Sequence, residues 1–168
     1  EELGLTEKTV IIFTSDNGGL STLQGDRAGP GCTLPLRGGK GWVYEGGIRV
    51  PLIVRWPGVT NGGTTCGVPV TSTDFYPTIL EMAGLPARPK QHLDGMSLAG
   101  LLRGDQQIGE PGRDALFWHY PHYHGSGSRP SAAMRKGDFK LVRWYENGEE
   151  ELFRLSDDRI NGFVLGTD

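Results

Sequence analysis

Three features of the sequence predict an α/β fold that closes in an antiparallel meander. Residues 10–13 (Val-Ile-Ile-Phe) and 52–56 (Leu-Ile-Val-Arg-Trp) are short apolar runs rich in β-branched residues and bounded by Gly or Pro. That is the pattern of buried strands, here read as strands of a parallel sheet. Two stretches with helical signals follow, at 72–83 and 97–103. The tail then changes character, with short alternating runs at 132–135, 139–145 and 150–155 separated by Lys136-Gly137-Asp138 and Glu146-Asn147-Gly148-Glu149. Asn-Gly is the strongest short hairpin signal, so these three runs read as a meander.

Taken in order, Glu1 to Leu5 reads as the end of a helix with Gly4 as its cap and Thr6 opening a turn. On that reading the chain is the later part of a longer protein. After the first strand come Asp16-Asn17-Gly18-Gly19 and a Ser-, Thr-, Gly- and Pro-rich stretch at 20–35, read as an ordered loop between two halves of one motif. Pro51 opens the second strand and Pro57-Gly58 ends it. A polar turn at 59–67 leads to a short strand at 68–70. Ser72 or Thr73 caps the first helix, Asp74 complements its dipole, and Phe75, Ile79, Leu80 and Met82 form an apolar stripe. Gly84 stops that helix, Pro86 keeps it stopped, and Gly104 closes the second one.

Composition narrows the function classes. Of 168 residues 27 are Gly and only 36% are hydrophobic, which suits a loop-rich protein or part of a larger one. A net charge of −3 gives no electrostatic affinity for nucleic acid. No apolar stretch approaches the length of a membrane span. Cys32 and Cys66 have no metal-type spacing; a disulfide between them and two unpaired thiols both stay open.

Chemistry concentrates between residues 9 and 51. Asp16 and Asn17 follow a strand, where ligands collect in open α/β sheets, and offer hard oxygen donors that suit Ca²⁺ or Mg²⁺ better than Zn²⁺. The same residues also simply make turns. Lys40 lies in Gly38-Gly39-Lys40-Gly41, where backbone and ammonium can approach an anion. A P-loop is excluded, because Leu34 stands where its first Gly would and Gly41 replaces its Ser or Thr. Glu45 and Arg49 read as a structural pair bracing the Lys40 loop. Three of the four histidines fall in Phe117-Trp118-His119-Tyr120-Pro121-His122-Tyr123-His124. With no Cys or carboxylate nearby, a zinc site is disfavoured. A substrate wall with His119 or His122 protonating a leaving oxygen competes with exposed imidazoles at a strand end.

Phe13-Thr14-Ser15-Asp16-Asn17-Gly18, Leu36-Arg37-Gly38-Gly39-Lys40-Gly41 and Tyr44-Glu45-Gly46-Gly47-Ile48-Arg49-Val50-Pro51 together resemble the later half of an arylsulfatase-type sulfatase. The resemblance continues through Thr73-Asp74-Phe75-Tyr76-Pro77-Thr78-Ile79-Leu80, Asp94-Gly95-Met96-Ser97-Leu98, Phe139-Lys140-Leu141-Val142 and Glu151-Leu152-Phe153. It implies the C-terminal part of an alkaline-phosphatase-like α/β core over residues 1–113, then a small antiparallel subdomain over 114–168. It implies that Asp16 and Asn17 are ligands to a divalent cation, usually Ca²⁺ and alternatively Mg²⁺, and that Lys40 contacts the sulfate. The family nucleophile is a formylglycine matured from Cys or Ser in a pattern close to C-x-P-x-R. Cys32-Thr33-Leu34-Pro35-Leu36-Arg37 carries Pro and Arg one position late, and Cys66-Gly67-Val68-Pro69 fails too, so this chain lacks the nucleophile.

The resemblance thus implies a sulfuric ester hydrolase whose nucleophile lies in a missing N-terminal half. Its substrate would be a sulfated carbohydrate or an aryl sulfate, and its location periplasmic or secreted. The chain alone is expected to be inactive and to self-associate through its apolar strands. The rivals are a phosphoryl hydrolase or mutase of the same superfamily and an inactive binding or structural module. After Asp158 the sequence departs from the family pattern, which leaves the final helix open.

Overall fold

In the computed structural model of the chain, residues 2–23, 29–104 and 113–156 are described. They form two compact units. One comprises Glu1–Thr14 and Leu52–Arg113, the other Ser15–Pro51 and Asp114–Asp168. This division differs from the one expected from sequence: both change at residue 113, but residues 15–51 group with the C-terminal sheet.

In the first unit, β1 (Ile11–Thr14) pairs antiparallel with β2 (Leu52–Arg55), Phe13 opposite Ile53. The expected parallel, buried arrangement is not found. Among the described residues the one helix between these strands is the four-residue α1 (Glu45–Ile48), too short for a crossover connection. Ile11, Phe13 and Ile53 are each more than half exposed, so one face of the pair is open. Arg55 instead ties the entry segment to β2, donating to the Thr6 carbonyl and pairing with Glu7 at 2.8 Å.

α2 (Phe75–Met82) follows a turn of 3₁₀ helix at Ser72–Asp74. The 3₁₀ turn is capped one residue before the expected Ser72 or Thr73, at Thr71, whose N–H donates to the Asp74 carboxylate at 2.8 Å, and α2 itself begins only at Phe75. Asp74 is also fully buried rather than a surface partner of the dipole. It accepts the Met96 N–H at 2.9 Å and a bidentate pair from Arg113 at 2.7 and 2.6 Å. Thr78 adds a second tie by accepting the Leu98 N–H at 2.8 Å. Three separate segments thus meet at one helix start, and α3 (Ala99–Arg103) follows from there. Gly84 and Gly104 end the two helices with positive φ, as expected. Residues 68–70 make no strand.

The second unit is built on a four-stranded antiparallel sheet in the order β3 (Leu116–Tyr120), β4 (Ser131–Lys136), β5 (Phe139–Trp144) and β6 (Glu150–Arg154). The last three are the expected meander; β3 adds an edge strand. Alternation puts Ser131 and Ala133, Lys140, Val142 and Trp144, and Glu151 and Phe153 on the buried side. Val43 and Tyr44 complete this core with Ala133, Val142, Trp144 and Phe153, and Trp42, Trp118 and Tyr120 pack against it. Tyr44 meets Trp144 and Phe153 edge-on, at ring separations of 5.8 and 6.1 Å. No helix among the described residues is long and apolar enough to cross a membrane. The open question of the final helix lies outside the described residues.

Candidate active site

All the candidate residues belong to the second unit, and backbone hydrogen bonds bring two of its loops together. The Lys40 N–H donates to the Gly19 carbonyl at 3.0 Å, and the Gly18 N–H to Gly47 at 2.8 Å. The Gly46 N–H closes the arrangement on Arg37 at 2.8 Å. The Asp16-Asn17 turn and the Lys40 loop are therefore one hydrogen-bonded assembly. Gly18 makes the close approach feasible, since a Cβ there would stand 1.7 Å from the Gly46 carbonyl oxygen. Side chains reinforce it: Ser21 and Thr33 lie 2.9 Å apart, and both donate to the Gly38 carbonyl, at 3.0 and 2.6 Å. The 20–35 stretch is ordered around Lys40 where it is described.

α1 anchors this assembly to the sheet. Glu45, at its first residue, is 4% exposed and accepts from the fully buried Lys140 Nζ at 2.8 Å. The pairing expected from sequence was with Arg49, which stands 4.0 Å away with its side chain 62% exposed. Arg49 therefore adds little, and Lys140 is the true brace. Burial pushes the Lys140 ammonium below its ordinary value, against the pull of Glu45. A second anchor joins Tyr44, whose hydroxyl donates to Glu151 at 2.5 Å, with the Trp144 indole donating to the same carboxylate at 3.2 Å. Burial first, and then the Glu151 carboxylate, raise the Tyr44 phenol well above its usual range. Arg37 stacks over the Tyr44 ring at 4.0 Å.

The groups with chemical potential are left unengaged by this scaffold. Asp16 is exposed, and its carboxylate makes no hydrogen bond or ion pair among the described residues. Asn17 donates from Nδ2 to the Gly18 carbonyl at 3.1 Å, which leaves Oδ1 as an acceptor. A free carboxylate and a free amide oxygen suit a divalent cation such as Ca²⁺, which needs about six to eight oxygens in all. Among the described residues no group of three His, Cys, Asp or Glu side chains is placed to hold a metal. Lys40 is exposed, and its ammonium has no partner among the described residues.

The histidines fall in different places. His119 lies on the exposed side of β3, away from the core positions Trp118 and Tyr120, with Nδ1 2.7 Å from the Tyr145 hydroxyl. His122 is exposed, edge-on to Tyr120 at 5.6 Å. His124 is the imidazole found at the Lys40 loop: its Nδ1 would stand 2.3 Å from a Cβ on Gly41. Nothing in the sequence singles out His124 from its neighbours, because the contact depends on Gly41 adopting φ +89°. The Lys140 brace did leave a signal, a lysine in phase with the inward-facing Val142 and Trp144. Cys32 and Cys66 are both exposed free thiols.

Residues 39–161 match a family model described as N-sulphoglucosamine sulphohydrolase, C-terminal. A sulfatase of Formosa agariphila is 41% identical over 163 residues, covering 92% of this chain and 28% of that protein. Human arylsulfatase A is 42% identical over 139 residues, covering 83% and 25%. A solved structure of a protein in complex with its substrate, D-glucosamine-2-N,6-O-disulfate, aligns at a TM-score of 0.78 with 27% identity, over 98% of this chain and 31% of that one. The chain thus spans about a quarter of the length of these curated relatives.

Proposed function

The chain belongs to the sulfatase family, in its C-terminal portion, and we propose that it is the part of a sulfuric ester hydrolase that supplies the sulfate-contacting lysine and two ligands of a divalent cation. The observation that carries this reading is the hydrogen-bonded assembly that presents the unpartnered Lys40 ammonium and Asp16 carboxylate from joined loops. Lys40 contacts sulfate oxygens and stabilises the charge at sulfur, a role a point charge fills. Asp16 and Asn17 hold the cation through oxygen, Ca²⁺ rather than Mg²⁺ in our reading, and the remaining ligands come from elsewhere in the protein. When bound, the cation polarises sulfate oxygens and lowers the pKa of the nucleophile. The braces at Glu45–Lys140 and Tyr44–Glu151 hold the Lys40 loop in place before substrate arrives.

The substrate we propose is a sulfated carbohydrate or an aryl sulfate, and the relative bound to a glucosamine disulfate supports the carbohydrate class. His119 and His122, exposed at and beyond the end of β3, enter the proposal as contacts for the alcohol portion. The formylglycine nucleophile lies outside this chain, so the chain alone is inactive. With Phe13 and Ile53 uncovered it self-associates. A periplasmic or secreted location completes the proposal, and cell fractionation tests it.

The deciding experiment is Lys40→Ala in the full-length protein, assayed on 4-nitrophenyl sulfate. Loss of one preorganised charge should lower kcat on the order of 10²–10³, with the fold unchanged by circular dichroism. An unaltered kcat would remove Lys40 from the site.

A further inference from the structure

We propose that His124 is a second donor to the sulfate group, acting beside Lys40 through its Nε2–H; this rests on the sulfatase reading of the Lys40 loop. His124 opens a closed turn. The His124 N–H donates to Ser128 at 3.1 Å and the His124 carbonyl accepts the Gly127 N–H at 2.9 Å, closing residues 124–128 on themselves. Ser126 and Ser128 within it are buried. The Ser126 N–H donates to His124 Nδ1 at 3.2 Å, and the Ser126 hydroxyl lies 2.8 Å from the same nitrogen. A backbone N–H only donates, so Nδ1 is the acceptor, and the neutral imidazole carries its proton on Nε2.

The turn also sets the ring's position. It lies on the backbone of Gly41, the residue after Lys40, where a Cβ would clash at 2.3 Å with Nδ1 and 2.5 Å with Cγ. Gly41 at φ +89° leaves that space open. Here one nitrogen is pinned, the ring is half-buried, and the Nε2–H has no partner among the described residues. The Lys40 ammonium on the adjacent residue is equally free. Two unpartnered donors, the charged one on the braced loop and the neutral one on the turn packed against it, fit the oxygens of a tetrahedral dianion or of its ester.

Inorganic sulfate, titrated into the full-length protein, is the probe. In ¹⁵N-histidine-labelled protein it should move the Nε2 resonance of His124 saturably and leave that of His92 in place. His124→Ala should raise the Kd for sulfate about tenfold, the scale of one hydrogen bond to a charged group. His124→Gln, which can place an N–H near Nε2, should recover most of that loss. An unmoved His124 resonance overturns the proposal, whether or not the variants fold, and so does an unchanged Kd in His124→Ala. If Lys40→Ala loses sulfate while His124→Ala does not, the sulfatase reading of the loop stands and His124 alone is removed. If neither loses it, the reading of the loop falls as well.

Discussion

The two units bury charge in the same way but are built on different cores. The second unit packs Tyr44, Trp144, Phe153 and Val142 into a continuous aromatic and aliphatic core, and sets Glu45–Lys140 within it. In the first unit the buried apolar residues among those described are Leu98 and Ala99, besides Pro77, and the fully buried Asp74 with Arg113 joins the segments. Its strand pair leaves Ile11, Phe13 and Ile53 open. A buried ion pair contributes little net stability compared with an apolar replacement, but removing one partner is costly. Such a pair fixes which segments meet. In the second unit that is the loop carrying Lys40; in the first it is the start of α2.

The comparison is broken most strongly at Lys140. Lys140→Met leaves the buried Glu45 carboxylate with only the distant, exposed Arg49 and should cost about 3–5 kcal/mol. Urea unfolding followed by tryptophan fluorescence reads it, since Trp144 lines that core and Trp118 packs on it. Adding Glu45→Gln should return at least about half of the loss. A single variant as stable as the parent would mean that the aromatic core alone holds the loop.

Asp74→Asn should cost less, about 2–3 kcal/mol, because the Arg113 side chain, 16% exposed, can still find water. Hydrogen exchange at Thr71 and Met96, whose N–H groups Asp74 accepts, should rise ahead of exchange in the four-stranded sheet. Equal rises in both would show that the two units unfold as one.

The open strand face gives a smaller effect on stability and a visible one on association. Phe13→Ser with Ile53→Thr, at the directly opposed pair, should change stability by less than about 1 kcal/mol. Light scattering on the 168-residue chain should nevertheless shift toward monomer. An unaltered scattering profile would place the association elsewhere.

The smallest effect lies at Glu81. The Ser97 hydroxyl and then Arg103 hold its carboxyl below the ordinary glutamate value. The stability this gives is therefore present above the ordinary value and lost as pH falls through the lowered one. Both side chains of the ion pair are more than 40% exposed, so screening reduces the contribution to a few tenths of a kcal/mol, about 0.3. Glu81→Gln should differ from the parent by that amount at neutral pH and match it in acid. A gap that persists in acid would trace to the hydrogen bond with Ser97 instead of the charge.

The sequence alone determined what is local. Period-two alternation and Asn147-Gly148 set the meander, because side-chain direction in a strand and the φ > 0 of a hairpin turn are properties of neighbouring residues. Gly84 and Gly104 marked the helix ends for the same reason. The motif around Asp16, Asn17 and Lys40 was legible as a set of residue types. Tertiary structure decided the partners. Glu45 finds Lys140, 95 positions away, in preference to Arg49 on its own helical turn, because burial beside a covered sheet face makes the distant, desolvated charge the stronger partner. Asp74 becomes the junction of three segments, and β1 turns out antiparallel and open, because both depend on how the chain returns after long loops. His124 reaches Gly41 by the same route: a positive φ and a closed turn, far apart in sequence, put one imidazole of three against the lysine loop.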